Sequence, residues 1–282
     1  MAAISPVRPS PIAGSWYEGD PQELARAVDR YLDQAELPEM TGQVVAVIAP
    51  HAGHIYSGPV AGYAFAAIRG RSPDVVAVIS PMHHPADFPL LTTAHDAYET
   101  PLGQVPVDAG LVATLDARLK DHIKSGLVPV AYDHEHSLEI ELPFLQRALQ
   151  PGFRLLPVMV HSQSPLIAQE LGEALAEVLT DQNAILVAST DLSHFYSQPR
   201  AEAYDSEMLR RIGTFSPQAI FEAELEQRGF ACGLGALGAV LWAAKAMGAD
   251  TVKVLRHATS GDVTGDLSSV VGYGAAVVLK HT

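Results

Sequence analysis

Short runs rich in valine and isoleucine recur along the chain, separated by stretches of helical period, and this alternation narrows the fold more than any other feature. Val44–Ala49, Val75–Ile79, Leu155–Val160, Ala184–Ala188, Thr251–Leu255 and Ser269–Leu279 read as strands. Most are apolar on both faces, which suits strands covered by helices on each side. Pro59–Arg69, Asp108–Lys120, Ser137–Leu149, Leu166–Leu179, Tyr204–Ile212 and Leu234–Met247 read as helices. Ser57 before Gly58-Pro59 looks like a helix start, with proline in the first turn. Pro143 should kink or delay its helix, because proline removes a donor and crowds the preceding turn. The pattern predicts an α/β fold with a mostly parallel central sheet flanked by helices. No linker-like stretch or internal repeat interrupts it, so a single domain over residues 1–282 is expected.

Composition narrows the function. The 18 Lys+Arg stand against 32 Asp+Glu, a net charge of −14, and such a field repels phosphate backbones and anionic lipid. No nucleic acid and no membrane is expected as a partner. The longest apolar uncharged run, Phe230 to Ala244, falls short of the ~20 residues that a membrane-spanning helix needs. The opening stretch MAAISPVRPSPIAG has no apolar core of the kind a secretory leader carries. One cysteine, Cys232, excludes an internal disulfide framework and fits a reducing compartment. A cytoplasmic globular protein is the expectation.

The chain has 12 histidines, and their placement carries more than their number. His51 and His54 follow the first strand; His83 and His84 follow the second. His161 ends the Leu155–Val160 strand, and Asp191 and His194 follow Ala184–Ala188. Open α/β sheets bind their ligands outside the carboxyl ends of the strands, so these imidazoles are expected at one edge. Any single histidine is most simply a surface residue; several independent strand ends sharing one are not.

Imidazole with thiolate or carboxylate is metal-ligand chemistry, suited to zinc, copper or iron. The anionic candidates are Cys232 and Asp191. Cys232 precedes an apolar helix, whose N-terminus should lower the thiol pKa. Alternatively it is a small buried apolar residue. Asp133-His134-Glu135-His136-Ser137-Leu138-Glu139 is a second dense cluster, read either as a charged helix start or as a place where His136 moves a proton or steadies a ligand. It is not His-Glu-x-x-His, so a zincin protease is not supported.

Gly233-Leu234-Gly235-Ala236-Leu237-Gly238 matches the dinucleotide fingerprint letter for letter, but no strand precedes it and no acid follows at the required place. Close packing of a small-residue helix explains it better. The spacing of Asp262 and Asp266 is not that of a calcium-binding loop. No G-x-S-x-G nucleophile elbow is present.

Taken in order, Ala13-Gly14-Ser15-Trp16-Tyr17, Ala49-Pro50-His51-Ala52-Gly53, Pro81-Met82-His83-His84, Glu135-His136-Ser137-Leu138-Glu139, Ser189-Thr190-Asp191-Leu192-Ser193-His194, Cys232-Gly233 and Val270-Val271-Gly272-Tyr273-Gly274 resemble the Memo family. The resemblance runs nearly end to end. It implies a fold like that of the LigB-type extradiol non-haem iron dioxygenases. It also implies a metal pocket of two histidines and a cysteine, which fall on His51, His83 and Cys232. His194 matches a further pocket histidine with Asp191 beside it, and Trp16 an aromatic at the pocket mouth. A thiolate in place of the dioxygenases' carboxylate departs from the ring-cleaving pattern, because thiolates oxidise easily.

The resemblance implies a redox protein holding Fe(II) or copper, with zinc as the other candidate, and acting on a small molecule. In this reading His194 and His136 serve as acid/base groups, Asp191 orients an imidazole, and His84 lies beside Trp16 at the substrate pocket. Two adjacent histidines do not both point easily into one small site, so His83 alone is expected to ligate. Prokaryotic members are often encoded beside an AMMECR-type protein and a radical-SAM protein, which implies a functional link to both. Two rivals remain. One is a non-catalytic binding module, since eukaryotic members are associated with phosphotyrosine peptides. The other is a metal-assisted hydrolase.

Overall fold

The computed structural model describes residues 4–281, so the two extremes of the expected 1–282 domain lie outside the described residues. The N-terminal half contributes β1 (Val7–Arg8), α1 (Pro21–Asp33), β2 (Gln43–Ala49), α2 (His54–Ala66), β3 (Val75–Pro81) and β4 (Leu90–Thr93). There follow β5 (Ala97–Thr100), β6 (Gly103–Pro106), α3 (Ala109–Ile123), β7 (Val128–Val130), a 3-10 turn (Glu139–Glu141), α4 (Leu142–Ala148) and β8 (Arg154–Val160). The remainder is α5 (Pro165–Leu179), β9 (Ala184–Ser189), β10 (His194–Tyr196), α6 (Gln198–Gly213), α7 (Pro217–Leu225), α8 (Leu234–Ala246), β11 (Thr251–Thr259), α9 (Gly261–Thr264) and β12 (Val270–Lys280).

Strands β2, β9, β3 and β8 form the parallel centre of a nine-stranded sheet. At the flanks β12 runs antiparallel to β2 and β4 antiparallel to β8, with β10 and β11 antiparallel to β12 and β7 parallel to β4. A small sheet of β1, β5 and β6 lies apart. Side chains alternate across the main sheet. Val45, Ile48, Ala77, Ile79, Leu156 and Val158 join one apolar layer with residues of α3, α5 and α8. Val44, Val47, Val76, Val78 and Leu155 join a second layer with residues of α1, α2 and α4. Burial on both faces explains why these strands read as continuous apolar runs.

The strand register sets the site. Ala49 of β2 pairs with Ser189 of β9, and Pro81 of β3 pairs with Val160 of β8, so the carboxyl ends of the central strands lie level. His51 and His83 each come two residues past a level end.

Local chemistry moved some boundaries from those expected. Helix α2 begins at His54, not Pro59, and carries Pro59 inside it. The His54 amide donates to Trp16 O at 2.8 Å, which seats the first turn earlier than the proline signal implied. Pro143 delays its helix as expected: a 3-10 turn comes first and Pro143 sits in the first turn of α4. Helix α1 went unread because its stripe of Leu24, Ala27, Val28 and Leu32 lies among charged residues. It is capped by Asp20, which accepts from the Gln22 and Glu23 amides at 2.9 Å. Among the described residues no helix is long and apolar enough to cross a membrane.

The close approach of α5 to α8 depends on Gly172. A Cβ there would lie 2.6 Å from Trp242 Cβ and 2.7 Å from Ala239 O. Gly172→Ala should push the two helices apart and cost about 1–3 kcal/mol. Urea unfolding should show a lower midpoint with the slope unchanged.

Candidate metal centre

Four separate segments meet beyond the level strand ends. His51 follows β2, His83 follows β3, His136 comes from the loop before α4, and Cys232 stands just before α8. Nitrogens of His51, His83 and His136 that are able to bind a metal lie within 4.8 Å of one another. The rings of His83 and His136 stack with centroids 4.9 Å apart, and His51 meets both edge-on at 5.2 and 5.5 Å. Cys232 Sγ lies 3.1 Å from His51 Nε2.

Each ring is fixed from behind. His83 Nδ1–H donates to Glu135 Oε1 at 2.9 Å, and the His83 amide donates to Oε2 at 2.5 Å. The His136 and Ser137 amides both donate to Glu135 Oε1 at 3.0 Å, with His136 Nδ1 3.3 Å from that oxygen. His51 Nδ1 is 2.9 Å from Ser189 Oγ, which itself lies 2.7 Å from Ser137 O and Glu141 Oε1. A ring that donates through Nδ1 keeps its Nε2 lone pair free, which is the form a metal binds.

The loop carrying Glu135 and His136 is itself tied down by Arg8. This buried guanidinium reaches Asp133 Oδ1 at 2.8 Å, Glu135 O at 2.8 Å and Glu139 Oε2 at 2.5 Å. Tyr17 OH donates to Glu139 Oε1 at 2.7 Å, and the neighbouring Trp16 ring packs on His136 with centroids 4.1 Å apart.

Burial sets the charge state. It drives the His51 imidazole well below its ordinary value, and the repulsion of His136 and His83 adds to this. Burial also takes His136 down to about 4 and lowers His194. Burial alone would raise the Glu135 carboxyl, but the hydrogen bonds from His83 and Ser137 outweigh it and hold it well below the usual range. The Asp191 carboxyl is pushed up to about 7 by burial. The Cys232 thiol moves opposite to expectation: burial raises it, and the nearby Asp191 charge adds to the rise. The helix N-terminus offered by Gly233 does not overcome the loss of water.

The other expected residues fall as follows. Asp191 does not orient an imidazole ring. Its Oδ1 accepts the backbone amide of His51 at 2.8 Å, from the segment that follows β9, the strand next to β2. His194 Nδ1–H donates to Leu192 O at 2.9 Å, which leaves Nε2 free, and the ring is close enough to His51 and His83 for their charges to interact. His136, expected as a proton-transfer group, stands in the histidine trio itself. His84 is exposed and lies near His136. His54 is buried behind the site, donating from Nε2 to Ile140 O at 3.0 Å, and His161 is not in the trio. Gly233 and Gly235 are packing residues: a Cβ on either would lie 2.4 Å from a carbonyl oxygen of Ser189 or Ser162.

The sequence did not single out Glu135, Ser189 or Arg8. Glu135 sat inside a flagged cluster but passed for a charged helix start. A strand-end serine and an N-terminal arginine carry no signal of their own.

Glu135→Gln keeps the size but weakens the hold on both rings, so zinc affinity should fall about 10–100-fold. His84→Ala should leave it unchanged. Competition against a chelating dye measures both, and loss of binding in His84→Ala with binding kept in His83→Ala would reverse the assignment.

A family model described as Memo-like protein matches residues 8–277. A MEMO1 family protein of Nitrosopumilus maritimus is 33% identical over 273 residues, covering 95% of this chain and 98% of its own. One from Methanothermobacter thermautotrophicus is 35% identical over 276 residues, with 95% and 98% covered. The crystal structure of an uncharacterised Escherichia coli K12 protein superposes with a TM-score of 0.51 at 14% identity, covering 83% of this chain and 100% of that one, a likeness of fold alone.

Proposed function

Because this chain belongs to the Memo family, we propose that it is a metal-dependent redox protein acting on a small molecule, in the manner of a dioxygenase-like oxidoreductase. The observation that carries this is the convergence of His51, His83 and His136, with Cys232 Sγ 3.1 Å from His51 Nε2. The residues fit a transition ion. At least two of the rings are held neutral at physiological pH, and a soft sulfur donor completes a set suited to iron or copper. His51, His83 and His136 would hold the ion, with Cys232 reaching it from the His51 side.

Bound there, iron or copper would supply electron transfer and Lewis acidity. The chain's own residues supply the rest. Glu135 and Ser189 orient the rings. Asp191 fixes the main chain that presents His51. His194, with its free Nε2, gives or takes a proton at the substrate. Trp16 walls the side next to His136.

A second reading follows from His136. Three imidazoles also suit zinc with an open position, which would make the protein a metal-assisted hydrolase. Oxygen uptake separates the two.

Cys232 provides the test. Its thiol is raised above the ordinary value, so a metal that takes the sulfur must displace a proton. The sign follows: below the thiol pKa, higher pH makes that proton easier to lose, so affinity should rise about tenfold per unit between pH 7 and 8.5. Cys232→Ser should bind more weakly and lose most of that slope. Oxygen uptake by the iron- or copper-loaded protein should fall with it. Equal affinity and slope in both proteins, with no oxygen uptake in either, would overturn the redox reading.

A further inference from the structure

A cavity of about 600 Å³ opens directly beside the histidine cluster. It shares with the cluster Trp16, whose ring packs at a tilt on His136, and Ala52, the residue after His51. Its walls are apolar and largely aromatic: Trp16, Ile55, Tyr56, Phe195, Val271 and Tyr273. The remaining polar side chains are serine and threonine hydroxyls and one carboxylate, Asp266. Among the described residues lining it there is no lysine or arginine.

Phe195 is the unusual member. It is 76% exposed, and its backbone sits at φ +65°, a region that bulky side chains rarely adopt. The cause is a bulge. His194 pairs with Val271 and Tyr196 with Val270, so Phe195 is an extra residue in β10. The bulge leaves His194 beside the histidines and puts Phe195 on the cavity wall. The bulge accounts for the backbone, and it holds a large ring exposed on the cavity wall, edge-on to His194 at 5.6 Å. Strain of this kind gathers where a ligand is held. Ile55, 64% exposed on the same wall, extends the apolar surface.

We infer that this cavity is the substrate-binding groove of the adjacent histidine centre, that it takes an uncharged or cationic ring-bearing small molecule, and that Phe195 is its specificity-determining residue. The inference rests on reading the histidines as the working centre. The volume fits a small ligand. Aromatic walls favour a flat ring by stacking, the hydroxyls offer hydrogen bonds to a neutral polar group, and Asp266 admits a cation. An anion would enter with no cation to meet it, against Asp266 and a net charge of −14.

One ring with three charges tests this on the metal-free protein. Indole, tryptamine and indole-3-acetate are titrated by ligand-observed NMR and calorimetry. Indole and tryptamine should bind at least tenfold more tightly than indole-3-acetate. Phe195→Asn removes the ring but suits the positive φ, so the backbone should persist and indole should bind at least tenfold more weakly. Ile55→Ser should weaken indole in the same direction and stands in if Phe195→Asn fails to fold. Indole-3-acetate binding as tightly as indole, or indole binding unchanged in both variants, overturns the inference. So does a groove that takes none of the three. Zinc titration of the same samples keeps the two readings apart. A failed indole series with zinc bound overturns the groove alone, and failed zinc binding with the series intact overturns the metal centre alone.

Discussion

The candidate site depends first on one buried cation. Arg8 is 1% exposed and joins Asp133, Glu139 and the Glu135 carbonyl, elements more than a hundred residues away in sequence. A buried ion pair is weak evidence for stability, because desolvation offsets much of its attraction. What this one provides is position. The loop from Asp133 to Ser137 has no strand or helix to hold it, yet it carries Glu135 and His136. Glu139 extends the same network to Tyr17, which places Trp16 against His136. The N-terminal segment therefore shapes a site whose ligating groups come from elsewhere.

The second constraint is the sheet. Strand β9 lies between β2 and β3, so Ser189 reaches the middle of the edge from which His51 and His83 project. Ser189 supports His51, while Glu135 supports His83 and His136. The segment after β9 delivers Asp191 to the His51 amide, and the bulge of β10 separates His194 from Phe195. Several strand ends thus serve one small volume.

This division explains what could be read from residues alone. The central strands were legible because burial on both faces leaves an unbroken apolar run, and His51 and His83 were legible because they directly follow such runs. Helix α8 was legible for the same reason. The strands β4 to β7 were not, being only three or four residues long and mixed in polarity, and α1 hides its apolar stripe among charges. At the site, residue type revealed the groups with their own chemistry, His51, His83, His194 and Cys232. Orientation came from Glu135, Ser189 and Arg8, whose roles exist only through tertiary contacts. The thiol pKa was misread for a related reason: the helix terminus is visible in sequence, but the burial that outweighs it is not.

Burial also ties the electrostatics to the function. In a protein of net charge −14, an exposed metal pocket would invite cations by charge alone. Here the donor groups themselves are nearly neutral, and the carboxylate held ionised, Glu135, stands behind the His83 and His136 rings. His51 and His136 are pushed toward the neutral imidazole, the Cys232 thiol toward its protonated form, and the buried Glu141 carboxyl is raised well above its ordinary value by desolvation. Asp191, near 7, stands at the balance point. A divalent ion entering such a site would meet lone pairs first, with the Glu135 charge behind them, and binding through Cys232 would require its proton to leave. Selection then falls to donor chemistry, which favours ions that prefer nitrogen and sulfur over hard, oxygen-seeking calcium and magnesium.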